Sequence, residues 1–495
     1  MLMSLEMNRR AFMRTTAAVA LAGATFKPAF AKDQFAGLDA IGQAELVRKK
    51  QVTSLELVDA AIARVEAVNP KLNAVVTKAY DMARARAKSA LPDSPLSGVP
   101  YLIKDLNNVA GVRTTMGSRL NARDIATKND LLPEKALDAG MVVIGKTNSP
   151  EYGLLATTES LLLGAAHNPW NLDHSTGGSS GGAAAAVAGG ILPVAHATDG
   201  GGSIRIPASC CGLLGMKPSR GRMHFAAAEK MPGDIAVENC VSRSVRDSAM
   251  VFSLSEDNSA TAPLKPVGFI AGPRKKRLKI AFGTGTYYGN EPHPDVKASV
   301  EATAKLCRDL GHDVFEAKNP VHGDAFIEAF LTVWASGPAQ LVKAAESHHL
   351  NPQDVLEPWT IGLAEYFHKK PKGSLEKALG VFRDTEAQVD AFMANYDAWL
   401  TPVLAAPPPK LGEQGPSVPF DTLYERVIRY VAYTPVHNVA GTPAMSVPLG
   451  MSSDGLPIGS QFAAAKGGEG LLYALAYELE AAKPWAGRHP GVFAE

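Results

Sequence analysis

The sequence carries almost no net charge: 50 Lys plus Arg against 49 Asp plus Glu leave +1. Without a basic excess there is no electrostatic footprint for nucleic acid, and without an acidic block there is no solvated tail. Cysteine is scarce as well. Cys210, Cys211, Cys240 and Cys307 show no metal-type spacing, because adjacent cysteines do not make a C-x-x-C pair. Cys210 and Cys211 read as small, buried apolar residues. Long apolar runs are missing: the weakly apolar stretch over 15–26 is about half of the ~20 residues that span a bilayer. No second apolar span stands out, so the mature protein is expected to be soluble, with no stable membrane anchor. Internal repeats are absent, and the only low-complexity tract is Ala183 to Ala186.

What is present is an ordinary globular composition, 46% hydrophobic and 20% charged over 495 residues, enough to bury a large core. The N-terminus reads as a targeting segment over 1–31. Asn8-Arg9-Arg10-Ala11-Phe12-Met13-Arg14 matches the twin-arginine export pattern, the apolar stretch follows, and Ala29-Phe30-Ala31 fits a small-x-small cleavage site. Together they predict a mature chain starting at Lys32 and a periplasmic or secreted location.

Apolar periodicity then lays out the chain. Thr53-x-x-Glu56 is a capping box opening a helix that Asn69-Pro70 should stop. A strand is expected over 73–77, a charged helix over 81–91, and a buried strand over 99–103 that delivers Lys104 at its end. Helices over 132–139 and 180–188 alternate with strands over 141–144 and 191–196. A β-α-β unit follows over 278–316, then a mostly helical stretch over 324–396 interrupted by the basic residues 368–372. Strands over 399–404 and 444–449 are the last clear ones, and a helix over 470–481 closes the pattern. Strands alternating with helices indicate an α/β fold, a mixed sheet covered by helices on both faces.

The chemistry concentrates between Thr176 and Pro218. Ser179 sits in Gly177-Gly178-Ser179-Ser180-Gly181-Gly182, and Ser203 ends Gly200-Gly201-Gly202-Ser203. Glycine gives up much backbone freedom on folding, so dense glycine around a hydroxyl fits a place where backbone N–H groups must approach a ligand. Two pattern matches nearby are decoys. Gly140 to Thr147 satisfies the phosphate-loop pattern G-x-x-x-x-G-K-T, but its variable positions are apolar and β-branched, hence strand, and Asn148-Ser149-Pro150 blocks the helix that must follow. Gly177 to Gly181 fits the nucleophile elbow G-x-S-x-G, yet the polar, proline-bearing residues before it do not read as a strand. That alternative, a serine esterase of α/β-hydrolase type attacking through Ser179, would need a histidine such as His437 and an acid that no motif marks.

The chain resembles the amidase signature family of serine amidohydrolases over nearly all of its mature length. The resemblance rests on Gly98-Val99-Pro100-Tyr101-Leu102-Ile103-Lys104-Asp105, Thr114-Thr115-Met116-Gly117-Ser118, Gly145-Lys146-Thr147-Asn148-Ser149-Pro150-Glu151 and the glycine-serine core. It continues through Ser242-Arg243-Ser244-Val245-Arg246-Asp247 to the segment 435–444. Lys104 and Ser179 lie 75 residues apart and Ser179 and Ser203 lie 24 apart, as in the family. The resemblance implies the amidase-signature fold, a single domain over 32–495 with the 324–396 stretch as a helical insertion, and a Ser–cis-Ser–Lys triad. In that triad Ser203 is the nucleophile, Ser179 the bridging serine and Lys104 the base.

Each member has a chemical reason. A serine hydroxyl is a weak nucleophile until a base takes its proton. Lysine serves only when neutral, and burial can lower its pKa from about 10.4 to about 7–8. Asp105 should point the other way, since strand neighbours alternate faces. Backbone N–H groups of Gly200, Gly201, Gly202 and Ser203 are expected to form the oxyanion hole; the family usually has Thr or Ile where this chain has Gly200. Asp199 and Arg205 are expected to hold that nest rigid, and Ser180 to hydrogen-bond Lys104. Met116, Tyr152, Trp334 and the loop near Leu411 are candidate pocket walls by analogy. The expected function is hydrolysis of a small-molecule carboxylic amide through an acyl-enzyme. No metal or organic cofactor is implied, because nucleophile, base and oxyanion donors all come from the chain. An amidotransferase-type subunit remains an alternative, and the reading leaves room for a homodimer.

Overall fold

The computed structural model describes residues 35–223, 232–321 and 323–494. The twin-arginine segment and the Ala29-Phe30-Ala31 cleavage site lie outside them.

Two sheets organise these residues. In the smaller, strand Val142–Thr147 lies between Val75–Lys78, antiparallel to it, and Pro100–Lys104, parallel to it. The larger has eight strands. From one edge they run Asp313–Glu316, Lys279–Phe282, Ala398–Pro402, Pro457–Ala463, Ala444–Met451, Leu214–Lys217, Val237–Ser242 and Val194–Asp199. Its first two pairings are parallel and the remainder antiparallel, so the sheet is mixed. Strand Pro100–Lys104 packs on edge strand Val194–Asp199 and brings the end of one sheet against the end of the other.

Helix Gly181–Ala188 fills the space beneath that junction. Every residue in it is buried, and its sequence GGAAAAVA has no polar face, as expected of a helix enclosed on all sides. Its alanines are all buried, four of them completely. At Gly182 even a methyl is too large: a Cβ there would overlap the backbone nitrogen of Asn148 and lie 2.7 Å from the Ala74 carbonyl oxygen. The poly-alanine tract is therefore a packing requirement, and it fixes where Ser179 and Ser180 stand.

Most expected elements form near their expected bounds, and the departures have physical reasons. The second helix, Ser54–Leu72, runs through Pro70 and ends at Asn73 in a left-handed conformation (φ 46°). Fully buried Leu72 draws the last turn into the core, and Asn69 Oδ1 accepts the N–H groups of Ala74 and Val75. A short strand, Asn171–Ser175, does precede the first nest, but it pairs with His167–Asn168, with one further bridge from His174 to Lys410, and does not belong to the large sheet. The phosphate-loop match is strand as expected, Val142–Thr147, with no helix at Lys146. Strand Pro457–Ala463 follows the last one expected; it starts at a proline and contains Gly459, Ser460 and Gln461, so its composition hides it.

The stretch after 322 is helical: Gly323–Ser347, Pro352–Val355, Pro358–His368 and Ser374–Met393. The first of these is long and apolar enough by composition to cross a bilayer, which corrects the expectation that no further apolar span exists. In this fold it packs against Pro358–His368 and Ser374–Met393. One face carries Phe326, Phe330 and Trp334, stacked in succession with ring centroids 6.2 and 5.6 Å apart.

Candidate active site

Lys104 ends its strand fully buried, with its ammonium between two hydroxyls. Nζ donates to Ser179 Oγ at 2.7 Å and to Thr198 Oγ1 at 2.8 Å. Burial depresses its pKa to about 7, against the opposing pull of the Asp199 and Glu238 carboxylates. Asp105 points away as alternation demands: it accepts the hydroxyl of Thr115 and pairs with Lys146 at 3.3 Å. Ser179 follows a cis peptide bond from Gly178.

The structure corrects the role expected of Ser180. Its hydroxyl is engaged with the backbone of Thr198, donating to the carbonyl and accepting the N–H, both at 3.2 Å, and it does not bond Lys104. Thr198 fills that place. Its place on a strand, two residues beyond His196, puts both side chains on the face that meets Lys104, and this alternation was the signal available in the sequence. His196 lies under the base: its Nδ1 accepts the backbone N–H of Lys104 at 3.3 Å.

Ser203 is 7% exposed and, with Ser179, lines a cavity of about 400 Å³, within the range of small-molecule sites. The turn before it is held by Asp199, whose carboxylate accepts the N–H groups of Gly202 (2.7 Å) and Ile204 (3.2 Å). Arg205 clamps the same carboxylate through Nε and Nη2 at 3.0 and 2.9 Å, and reaches Thr434, Gln461 and Asn438 with its remaining donors. Burial alone would raise the Asp199 pKa; the Arg205 charge and these hydrogen bonds hold it well below the usual carboxylate range. Asp199 and Arg205 therefore stiffen the nest, as expected. The same geometry corrects one expected oxyanion donor, because the Gly202 N–H is committed to Asp199. The N–H groups of Gly200, Gly201 and Ser203 have no hydrogen-bond partner among the described residues.

Met116, Tyr152 and Trp334 all line the cavity. Met116 and Tyr152 both hold left-handed backbone conformations, φ 54° and 48°, and Tyr152 N donates to Met116 O at 2.7 Å. Non-glycine residues in that region are uncommon and cluster at functional sites. Trp334 covers the second nest; a Cβ on Gly200 would lie 3.1 Å from its Cζ3. The loop near Leu411 does not reach the cavity, which corrects the fourth wall. Leu411 N donates to Asp173 O and Gly412 N to the Glu159 carboxylate, so this loop backs the first nest. His437 is also elsewhere: its Nδ1 meets Thr442 Oγ1 at 3.0 Å, its ring lies edge-on to Trp399, and burial with the Arg205 and Lys217 charges keeps it neutral. Ser179 is thus met by a lysine and not by an imidazole. Glu238, Asn107, Asp130 and Gln340, which sequence reasoning missed, add polar groups to the wall.

A buried lysine hydrogen-bonded to one serine, on a cavity that a second serine in a glycine turn also lines, is the geometry this site presents. The amidase family profile matches residues 56–473. The chain belongs to the amidase signature family, and it is a hydrolase acting on carbon–nitrogen amide bonds. It is 38% identical to AmiC of Mycobacterium tuberculosis over 475 residues, covering 94% of this chain and 99% of that one. It is 34% identical to the 6-aminohexanoate-cyclic-dimer hydrolase of Pseudomonas sp. over 476 residues, covering 91% and 96%. The solved structure of a 6-aminohexanoate cyclic dimer hydrolase complexed with substrate superposes with a TM-score of 0.85 at 32% identity, covering 92% of this chain and 99% of that one. A bacterial aryl acylamidase gives 0.82 at 29% identity, covering 91% and 99%.

Proposed function

We propose that this amidohydrolase cleaves its amide through an acyl-enzyme on Ser203, with Ser179 relaying protons to and from Lys104. The observation that carries the reading is the 2.7 Å contact between a fully buried Lys104 Nζ and Ser179 Oγ, at a lysine whose pKa is brought down to about 7. In the protonated resting state Nζ donates to both hydroxyls. Once it loses a proton the contact reverses, and the Ser179 O–H donates to the nitrogen lone pair. Ser203 Oγ then attacks the amide carbon as its proton passes to Ser179 and the Ser179 proton passes to Lys104. The N–H groups of Gly200, Gly201 and Ser203 receive the developing oxyanion, each such donor contributing about 3–4 kcal/mol at a transition state. When the C–N bond breaks, Ser179 protonates the departing nitrogen and is reprotonated by Lys104. Water repeats the sequence on the ester. The names of the relatives suggest cyclic or aryl amides of small carboxylic acids as the first substrates to try.

A fluorophosphonate probe tests the nucleophile. The adduct should map by mass spectrometry to the peptide bearing Ser203; an adduct on Ser179 would overturn the assignment. Arg9-Arg10 with Ala29-Phe30-Ala31 further supports twin-arginine export to the periplasm or medium without a membrane anchor. Protein recovered from a host with that machinery should begin at or near Lys32. An intact Met1 on all the active protein would count against it.

A further inference from the structure

Strand Val237–Ser242 pairs with Val194–Asp199 so that Glu238 lies directly opposite Thr198. Opposed residues share a face of the sheet. The Glu238 carboxylate therefore stands on the side where the Thr198 hydroxyl accepts from Lys104. It is 2% exposed and lines the cavity. Its two hydrogen-bond partners are Asn107 Nδ2 at 2.5 Å and His196 Nε2 at 3.3 Å. Because His196 Nδ1 accepts from the Lys104 backbone, the network puts the ring proton on Nε2 and makes the imidazole a neutral donor. Among the described residues no lysine or arginine pairs with Glu238.

Asn107 supplies an independent second sign. It is 5% exposed, lines the same cavity and has given its amide nitrogen to Glu238, while its Oδ1 has no hydrogen-bond partner. Of the other lining carboxylates, Asp199 is neutralised by Arg205, whereas Asp130 accepts only from Asn108 through N and Nδ2. None of the described lining residues is lysine or arginine. The polar wall thus presents acceptors and negative charge, and the nearby cation, Lys104, is engaged by Ser179 and Thr198 and makes no direct pair with Glu238. A buried carboxylate with no direct lysine or arginine partner and a buried amide oxygen lacking a donor are both unfavourable, and a ligand that brings positive N–H donors relieves both.

We propose that Glu238 and Asn107 Oδ1 form a subsite for a primary ammonium group on the substrate, so that the enzyme prefers amides of short amino acids to their neutral or carboxylate-bearing analogues. This deepens the amidase reading above and rests on it. The spacer is short because Glu238 lies beside the residues that serve the scissile bond. An ammonium held there also disfavours a proton on Lys104, which keeps the base ready. A substrate carboxylate would instead meet Glu238 as a like charge, a repulsive element of specificity.

The test compares β-alanyl, butanoyl and malonyl anilides, near-isosteres that differ in terminal charge, at about pH 8.5, where an alkyl ammonium with a pKa of about 10.4 is still charged. The wild-type enzyme should show kcat/KM at least about tenfold higher for the β-alanyl than for the butanoyl anilide, with the malonyl anilide lowest. Glu238→Gln should remove that preference by raising KM for the β-alanyl anilide, and Glu238→Asp should retain part of it. Equal rates on the β-alanyl and butanoyl anilides would overturn the subsite, as would an equal loss on both in Glu238→Gln. If none of the anilides is cleaved, aryl amides of short acids fail as substrates, separately from the subsite. The subsite is then read by calorimetry on the Ser203→Ala protein: β-alaninamide should bind more tightly than butyramide, and equal binding overturns the proposal.

Discussion

The two glycine nests look alike in sequence and are glycine-rich for different reasons. In the first, backbone crowds two of the four glycines: a Cβ on Gly178 would stand 2.5 Å from the Thr157 carbonyl oxygen, and one on Gly182 would run into Asn148, while one on Gly181 would meet the Thr176 and Thr158 side chains and one on Gly177 the Cys210 sulfur at 2.9 Å. In the second, Gly202 is closed in by the Thr434 and Ile206 side chains, but the nearest atoms to Gly200 and Gly201 belong to aromatic side chains of the insertion. A Cβ on Gly201 would lie 3.0 Å from Phe330 Cζ, and one on Gly200 3.1 Å from Trp334 Cζ3. The first nest is a close-packed joint that sets the position of Ser179. The second is a turn with one side on the cavity, stiffened from behind by Asp199 and Arg205. Glycine density alone therefore does not distinguish a structural joint from an anion cradle; what fills the missing Cβ space does.

Substitutions can break or sharpen this contrast. The largest effect is expected at Ser203→Ala, a loss of kcat on the order of a million-fold with the thermal midpoint nearly unchanged, because removing a serine-hydrolase nucleophile has effects of that size. Residual activity near wild type, read with sensitive end-point detection, would remove Ser203 from the reaction. Next is Lys104. The rate should rise with pH through about 7 and level off above it, since the base works only when neutral. Lys104→Ala should flatten that acid limb and cost several orders of magnitude, while His437→Ala leaves the limb in place. A limb that follows His437 would sink the lysine assignment.

In the first nest, Gly182→Ala should act on stability. Its methyl meets fixed backbone, and overpacking of that kind costs about 1–3 kcal/mol, visible as a lower thermal midpoint. In the second, Gly200→Ala meets a side chain that can give, so stability should change by less than about 0.5 kcal/mol and kcat/KM by only a few-fold. If Gly200→Ala destabilises as much as Gly182→Ala, the distinction between the nests fails.

Much of this was readable in the chain because it is local. The β-branched residues before Lys146 made strand where a phosphate loop needs a turn, the apolar run before Lys104 placed a lysine at a buried strand end, and alternation turned Asp105 away. What escaped depends on register between distant segments. Thr198 meets Lys104 across two sheets, and Glu238 faces Thr198 only through a pairing set 40 residues later in the chain. The polar composition of Pro457–Ala463 concealed a central strand, since a strand enclosed by polar partners such as Arg205 needs no apolar alternation. Ser180 and Gly202 were assigned by proximity in sequence to catalytic groups, and in each case a backbone or carboxylate partner closer in space took the hydrogen bond.

Two buried carboxylates outside the triad bear on when the enzyme can work. Glu151 Oε2 accepts the Glu357 N–H at 2.8 Å, and Glu357 Oε1 accepts the Leu161 N–H at 2.7 Å, which fastens the insertion to the segment that carries Tyr152. Burial, aided by the Glu151 charge, pushes the Glu357 pKa up to about 8. A carboxyl raised in the fold binds its proton more tightly folded than unfolded, so its contribution is full below the ordinary value of 4.5 and is lost progressively as pH climbs from there to about 8. The base demands alkalinity and the fastening resists it. The enzyme's working interval is then bracketed by two ionisations in different parts of the chain, and Glu357→Gln should relax the second limit, read as a thermal midpoint that falls less between about pH 5 and 8 than in the wild type.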